Sequence, residues 1–414
     1  MRLAITCLLL VACYKSHGID GDAGVRPDVP FDAPTFDVPA PSFDAPTFDV
    51  PVMDAARDSG TDAGAECRSL RLVAEARVPW PSVDCGAITF PRVAPLPGAE
   101  DIGGVDAAFQ LLITEFRTCR DRPARLLTRP VLRVGESLRV AEEAAAGDAR
   151  GPGSIASNGT EFAVCSGTTL HTGAATEPLQ GGCGNQALCA GLAHDGAGWG
   201  VGWRPGCDAA AQVSRANPGG GQREEPITID IRDSVASIAP SSDGFGALSV
   251  SPAALSLFHW PRSAPSPTYI AIDADRPHSE AALTAWPFIP GAWAVYSLED
   301  SMLRMRVLSA SGEVLIDQRY EIELPGYGAE YLRASSSPAG GAVVIGYSWA
   351  GGRIDSATRM LVFGRDGLPA GAEVGEDLVQ DLGGADIAMA GRSILLHRAA
   401  PEVSATDVLL YECF

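Results

Sequence analysis

The sequence predicts an all-β protein whose main domain, residues 67–414, is a β-propeller of six or seven four-stranded blades, with seven preferred. From residue 67 onwards, short β-rich runs alternate with clusters of Gly, Pro, Ser and Asp, which is typical of many short antiparallel strands. These runs recur in units of about 40 to 50 residues, the length of a propeller blade. Tandem β-sandwiches are the alternative.

The recurring unit is an apolar residue, then a small one, a Gly-containing turn and a strand. The small residues of six copies, separated by 37, 46, 46, 49 and 54 positions, are Ala156, Ala193, Ala239, Ala285, Ala334 and Ala388. Two units continue clearly into a further strand pair, at 303–316 and 359–368, and a weaker seventh copy lies at 104–113. The only helix candidates are short, near 106–119 and 136–149.

Residues 1–12 form a predicted signal peptide, since one Arg precedes an apolar run that is too short to span about 30 Å of hydrocarbon. The motif Leu10-Val-Ala-Cys13 resembles the lipobox of bacterial lipoproteins. That resemblance implies a diacylglyceryl group on Cys13, cleavage before it and a membrane contact through the lipid. Tyr14, in place of the Asp that retains such proteins at the inner membrane, implies sorting to the outer membrane. A secreted protein cut elsewhere, or a misassigned start codon, is the alternative.

Residues 13–66 are predicted to be a disordered linker that carries the lipidated Cys13 at its start. Residues 14–66 contain ten Asp and one Glu but only Lys15, Arg26 and Arg57 as cations, which gives a net charge of −8. Seven Pro in the same segment interrupt any helix or sheet. The nine residues 31–39 recur at 43–51. We expect an extended acidic spacer, and a peptide ligand or calcium-decorated stalk is the alternative.

The charge of the chain excludes several function classes. A net charge of −20 argues against nucleic acid as a partner, because the phosphate backbone repels an acidic surface. Lys15 is the only lysine, and it lies outside the predicted domain, so lysine-based catalysis is also excluded. We expect a monomer.

Ten cysteines fall to eight once Cys7 leaves with the signal peptide and Cys13 carries lipid. An even number in an exported chain predicts four disulfides, with 105 possible connectivities. The eight are Cys67, Cys85, Cys119, Cys165, Cys183, Cys189, Cys207 and Cys413. Zinc is less favoured, because five residues separate Cys183 from Cys189 and no suitably spaced His pair follows.

Ring closure favours one of these pairings. A propeller must join its last blade to its first, since an open edge strand is a pairing hazard. The strand candidates 69–78 and 405–413 would meet antiparallel in the last blade, which brings Cys67 and Cys413 together. Pairing of Cys67 with Cys85 or Cys119 is the alternative.

No catalytic, cofactor-binding or metal-binding constellation is predicted. His194-Asp195 suits a hairpin turn, and Asp273-Ala-Asp275 with Glu280 suits a solvated loop better than a calcium loop. The Gly-rich run 217–221 lacks the Lys and helix of a phosphate-binding loop. The tryptophans near strands suit core packing between blades better than a sugar-stacking platform. They are Trp199, Trp203, Trp260, Trp286, Trp293 and Trp349.

The repeat spacing resembles WD-repeat and TolB-like propellers. The turn Ser241-Ser-Asp-Gly244 is similar to the TolB-like version, whereas no Gly-His and Trp-Asp pair is present, and Phe245 breaks the sialidase Asp-box. Propellers present loops from every blade on one face, so we expect a non-catalytic binding or scaffold module at the cell envelope, with a protein or glycan partner. The alternative is a propeller enzyme, a glycoside hydrolase or lyase. An enzyme needs convergent Asp, Glu, Arg or His, where these repeats place Ala, Ser and Gly.

Overall fold

The computed structural model describes most of residues 67–414, and every regular element in these ranges is a β-strand. The ranges are 67–80, 86–96, 104–117, 124–149, 151–159, 161–167, 169–172, 175–179, 188–204, 210–217, 220–222, 226–228, 234–251, 254–273, 280–299, 302–322, 327–349, 356–369, 374–379, 384–400 and 405–414. The signal peptide, lipobox and linker predicted for 1–66 therefore lie outside the described residues.

The strands form seven sheets, numbered here as blades. The first strand, β1 (Leu70–Pro79), belongs to the last blade. Blade 1 contains β2 (Gly86–Pro95), β3 (Ala107–Arg117), β4 (Ala124–Val134), β5 (Ser137–Val140) and β6 (Ala144–Ala149). Blade 2 contains β7 (Gly153–Ser157), β8 (Phe162–Ser166), β9 (Thr169–Thr172) and β10 (Ala175–Pro178). Blade 3 contains β11 (Leu188–His194), β12 (Trp199–Arg204), β13 (Gln212–Asn217), β14 (Gly220–Gln222) and β15 (Ile227–Thr228).

The remaining blades have four strands each. Blade 4 contains β16 (Ser234–Ser241), β17 (Gly244–Ser251), β18 (Ala254–Pro261) and β19 (Thr268–Asp273). Blade 5 contains β20 (Ala281–Ala285), β21 (Trp293–Glu299), β22 (Met302–Leu308) and β23 (Val314–Glu321). Blade 6 contains β24 (Tyr327–Ser337), β25 (Gly340–Trp349), β26 (Ser356–Phe363) and β27 (Val374–Val379). Blade 7 contains β28 (Ala385–Ala390), β29 (Ser393–Ala399), β30 (Ala405–Cys413) and β1.

The blades form a closed ring, and the strand of each blade that lies nearest the ring centre is its innermost strand, from β2 in blade 1 to β28 in blade 7. Strands within a blade are antiparallel, and the innermost strands contact those of both neighbouring blades, including β28 with β2. The prediction of an all-β propeller with seven blades is therefore confirmed. The six small residues of the sequence repeat all lie on innermost strands, from Ala156 on β7 to Ala388 on β28.

The two short helix candidates are wrong. Residues 107–117 form β3, and residues 137–149 contain β5 and β6. The buried run Ala107–Glu115 faces neighbouring blades on both sides, so both faces of the strand are buried and mostly apolar. Periodicity cannot separate such a run from a buried helix.

The ring closes through β1, which pairs antiparallel with β30 from Leu70 opposite Cys413 to Pro79 opposite Ala405. The N-terminal strand thus completes the blade that the C-terminal strands build, as the closure argument predicts. The same register places Cys67 beside the end of β30, where it packs in the core between blades 6 and 7 and its N–H donates to the Ala339 carbonyl.

Aromatic rings of one blade pack on glycines of its neighbour. A side chain on Gly200 would overlap the ring of Phe245 in the next blade, and one on Gly246 would press on Trp293. Five of the six tryptophans named above, all except Trp349, have at most 3% of their surface exposed. They fill the core between blades, as predicted, while the side chain of Trp349 lies outside the described part of the chain.

Candidate functional site

A central channel runs between the seven innermost strands and encloses a cavity of about 630 Å³. This volume is within the range of small-molecule sites in proteins. Each blade contributes residues to its wall, and small ones dominate, among them Ala156, Ser237, Ala285 and Ser335. The described lining therefore leaves room for a ligand, which would have to displace few large side chains.

The small polar residues of the wall also join the blades. The Ser237 hydroxyl donates to the Leu283 carbonyl of the next blade at 3.2 Å, and the Met389 N–H donates to Ser335 Oγ at 3.0 Å. Such bonds satisfy polar groups that would otherwise be buried unpaired. They link blade 4 to blade 5 and blade 6 to blade 7.

Asp386 on β28 plays the same role between blades 7 and 1. Its Oδ2 accepts the Val93 N–H at 3.0 Å in a buried position. Burial raises the pKa of the Asp386 carboxyl, although the guanidiniums of Arg92 and Arg333 and two backbone N–H groups act in the opposite direction. The cost of burying this carboxylate is thus reduced by charges that come from both adjacent blades.

Arg92 on β2 and Arg333 on β24 also line the channel, in blades 1 and 6, on either side of the blade that carries Asp386. Burial, and then the nearby Arg333, lower the pKa of Arg92 to about 10, whereas Asp386 raises it. The two like charges therefore lie close enough to repel each other inside the channel.

The backbone before Arg92 is irregular. The pairing of β2 with β3 shifts register between Thr89 and Arg92, and Phe90 has a φ of 55°. A phenylalanine in this left-handed region costs about 1 kcal/mol or more, and such residues cluster at ligand sites. This bulge determines the direction in which the Arg92 side chain extends from β2.

A buried histidine holds the same segment in place. His397 is fully buried on β29, with Nδ1 2.9 Å from the Arg92 carbonyl and Nε2 3.0 Å from Thr406 Oγ1. The Trp80 indole can only donate, and it donates to Thr406 Oγ1 at 2.9 Å. The Arg92 carbonyl can only accept, so Nδ1 carries a hydrogen and donates to it. Burial lowers the pKa of His397 to about 4, and in the neutral imidazole Nε2 has no hydrogen and accepts from the Thr406 hydroxyl.

The structure places the other sequence candidates in structural roles. Asp195 accepts the Ala197 and Gly198 N–H groups in its hairpin and pairs with Arg262 of blade 4 at 2.9 Å, which agrees with the predicted turn. Asp273 pairs with Arg306 at 2.8 Å, so its charge is balanced without calcium.

Other motifs fall partly outside the described residues. The described ends of the Gly-rich run, Asn217 and Gly220, pair across the antiparallel strands β13 and β14. Asp275 lies outside the described residues. In the part of the chain that the structure describes, no group of three or more His, Cys, Asp or Glu is placed to hold a metal ion.

Two disulfides occur among the described cysteines. Cys67 and Cys413 are bonded, with 4.8 Å between their Cα atoms, which is the pair that ring closure predicts. Cys165 of blade 2 and Cys189 of blade 3 form the second bond. The remaining four predicted disulfide cysteines, Cys85, Cys119, Cys183 and Cys207, lie outside the described residues.

The sequence prediction missed Arg92, Arg333 and Asp386. A signal for two of them was present, because Arg333 lies inside one repeat copy and Asp386 directly precedes another. Arg92 lies on β2, the innermost strand of blade 1. The repeat copy found in this blade, at 104–113, begins after β2 and so does not include it. That unit therefore starts one strand earlier than the repeat indicated.

The fold and the channel together define the class of the protein, a seven-bladed β-propeller. No protein-family model and no curated protein matches the chain. Among solved structures, the chain is similar to a "putative 6-phosphogluconolactonase" from Bacteroides uniformis ATCC 8492, with 11% identity and a TM-score of 0.43. The match covers 69% of this chain and 85% of that one. Within the described residues, no helix is long and apolar enough to cross a membrane.

Proposed function

We propose that the chain is an exported lipoprotein of the bacterial outer membrane, similar in organisation to TolB-like propellers, whose propeller binds a glycan of the cell envelope without transforming it. In this proposal residues 1–12 are the signal peptide, 13–66 the lipidated linker and 67–414 the propeller. Two disulfides among the described residues support export, since such bonds persist in oxidising compartments.

The observation that carries the binding role is the composition of the channel wall. A cavity of about 630 Å³ suits one or two sugar rings better than a protein surface. Its small polar groups bond across blade junctions, which makes the wall rigid before any ligand arrives. A rigid wall lowers the entropic cost of binding.

The catalytic alternative, a glycoside hydrolase or lyase, finds less support in the same wall. Glycoside hydrolysis uses two carboxyl groups that flank the scissile bond. Of the carboxylates that line the channel in the described ranges, Asp386 is bonded to the Val93 N–H, and Glu280 lies two blades away. These two carboxylates are therefore not placed to flank one glycosidic bond as acid and base.

The anchor is tested with two cysteine variants. We expect Cys13→Ala to lose metabolic labelling by palmitate and to leave the membrane fraction, because the lipid would be its attachment. Cys7→Ala, inside the predicted signal peptide, is the matched control and should keep both properties. Unchanged labelling and fractionation of Cys13→Ala would overturn the lipoprotein proposal.

The binding role is tested by filling the channel. Ala285 lines the cavity and Ala271 is exposed on the outer strand β19, so Ala285→Trp fills the channel and Ala271→Trp is the matched surface control. On an array of bacterial envelope glycans, we expect the wild type and the control to bind, and Ala285→Trp to bind at least tenfold more weakly. Equal binding by both variants would place the ligand elsewhere, and cleavage of the bound glycan would favour the enzyme.

A further inference from the structure

The channel wall is chemically asymmetric. In blades 2 to 5 most residues that line the cavity are small or apolar, and Arg204 of blade 3 and Glu280 of blade 5 are the charged ones, whereas Arg333, Asp386 and Arg92 come from the consecutive blades 6, 7 and 1. Two of the three arginines that line the cavity therefore lie in the blades on either side of Asp386, in a chain with a net charge of −20.

Both guanidiniums retain most of their donors. Among the described residues, Arg92 Nη1 donates to the Pro91 carbonyl at 3.0 Å and Arg333 Nη1 to the Leu332 carbonyl at 2.9 Å, and neither side chain forms an ion pair. A guanidinium has five N–H donors in a planar fork. Each guanidinium thus donates one described hydrogen bond, and that of Arg333 also lies 6.0 Å from the centre of the Tyr331 ring. Both therefore have further donors for a ligand in the cavity, where an unpaired charge is costly.

We infer that the channel recognises a carboxylate group on its ligand, held between Arg92 and Arg333. This inference rests on the proposed function and names the ligand group that the site takes, an acidic sugar such as a uronic acid. Arg forks match carboxylate oxygens in a bidentate geometry, and such charge-assisted bonds are stronger than neutral ones.

The charge of the cluster favours a carboxylate over a phosphate. Two guanidiniums and the Asp386 carboxylate leave one net positive charge, which one carboxylate neutralises. A phosphate monoester carries close to two negative charges at pH 7 and would leave an excess beside Asp386. Burial lowers the pKa of Arg92 and the nearby Arg333 lowers it further, and a bound anion would offset this repulsion.

The test uses the purified full chain and three probes, D-glucuronate, D-glucose and inorganic phosphate, with affinities measured by titration calorimetry or ligand-detected NMR. We expect D-glucuronate to bind at least tenfold more tightly than either other probe. Arg92→Gln and Arg333→Gln should each weaken D-glucuronate binding at least tenfold. Arg139→Gln, an exposed arginine on the outer strand β5, is the matched control and should bind as the wild type does.

The outcomes separate this inference from the proposed function. Equal binding of D-glucose and D-glucuronate, both lost in Ala285→Trp and unaffected by the Arg variants, would overturn the carboxylate inference and retain the binding role. Tighter binding of phosphate would overturn it as well. Absence of D-glucuronate binding, with glycans on the array still bound through the channel, would do the same. If Arg92→Gln fails to fold, Arg333→Gln decides, because its guanidinium makes no described bond to another blade.

Discussion

Removal of the Cys67–Cys413 disulfide is expected to lower the free energy of unfolding by about 6 kcal/mol in the double variant Cys67→Ala, Cys413→Ala. The bond closes a loop of 346 residues, so in the chain-entropy account it restricts the unfolded chain strongly. It also joins the ends of β1 and β30, the only pairing that connects the N-terminal strand to its blade among the described strands. The measurement is urea-induced unfolding at pH 7 without reductant.

The second disulfide provides the matched control. Cys165→Ala, Cys189→Ala opens a loop of only 24 residues, for which the same account gives about 3 kcal/mol. Both bonds join buried positions, so the comparison isolates loop length and ring closure. A loss from the Cys165, Cys189 variant that equals or exceeds the loss from the closure variant would contradict the argument.

Acidification is expected to lower the free energy of unfolding by up to about 3 kcal/mol through His397 alone. The folded protein holds the pKa of His397 at about 4, below its ordinary value of 6.5. As the pH falls through 6.5, His397 therefore binds a proton in the unfolded chain but not in the folded chain. The contribution is fully present above pH 6.5 and is lost progressively down to pH 4. Protonation would also break the bond from Thr406 to Nε2.

The comparison of wild type with His397→Gln isolates this group, because other groups titrate in the same range. The raised pKa of Asp386, for instance, acts in the opposite direction in both proteins. We expect the stability difference between the two proteins to stay constant from pH 8.5 to 7 and to shrink steadily below 6.5, as measured by urea unfolding. A constant difference down to pH 4.5 would mean that His397 becomes charged in the folded protein.

The fold was predictable because a propeller repeats a local pattern. Each blade needs an apolar innermost strand, a tight turn and a second strand, and these follow one another along the chain, so the steps between Ala156 and Ala388 indicate the blade length directly. Closure was predictable for a similar reason. Strand candidates at both ends, each with a cysteine beside it, favour a last blade that the N-terminal strand completes, and the structure has this pairing and the Cys67–Cys413 bond.

Local pattern was insufficient where one run of residues suits two structures. The run from Ala107 to Glu115 is buried on both faces, and a mostly apolar run of that length is equally compatible with a buried helix. Only the pairing of β3 with β2 and β4 identifies it as the second strand of a blade.

The candidate site depended on the tertiary structure. Arg92 is separated from Arg333 by 241 positions and from Asp386 by 294, and nothing local marks any of the three as a partner of the others. Their convergence requires that the ring close, so that blade 7 lies between blades 6 and 1. It also requires the bulge at Phe90, which places Arg92 at the cavity. Strand periodicity specifies which residues share a face of one blade, whereas the wall of a channel is assembled from one edge of every blade.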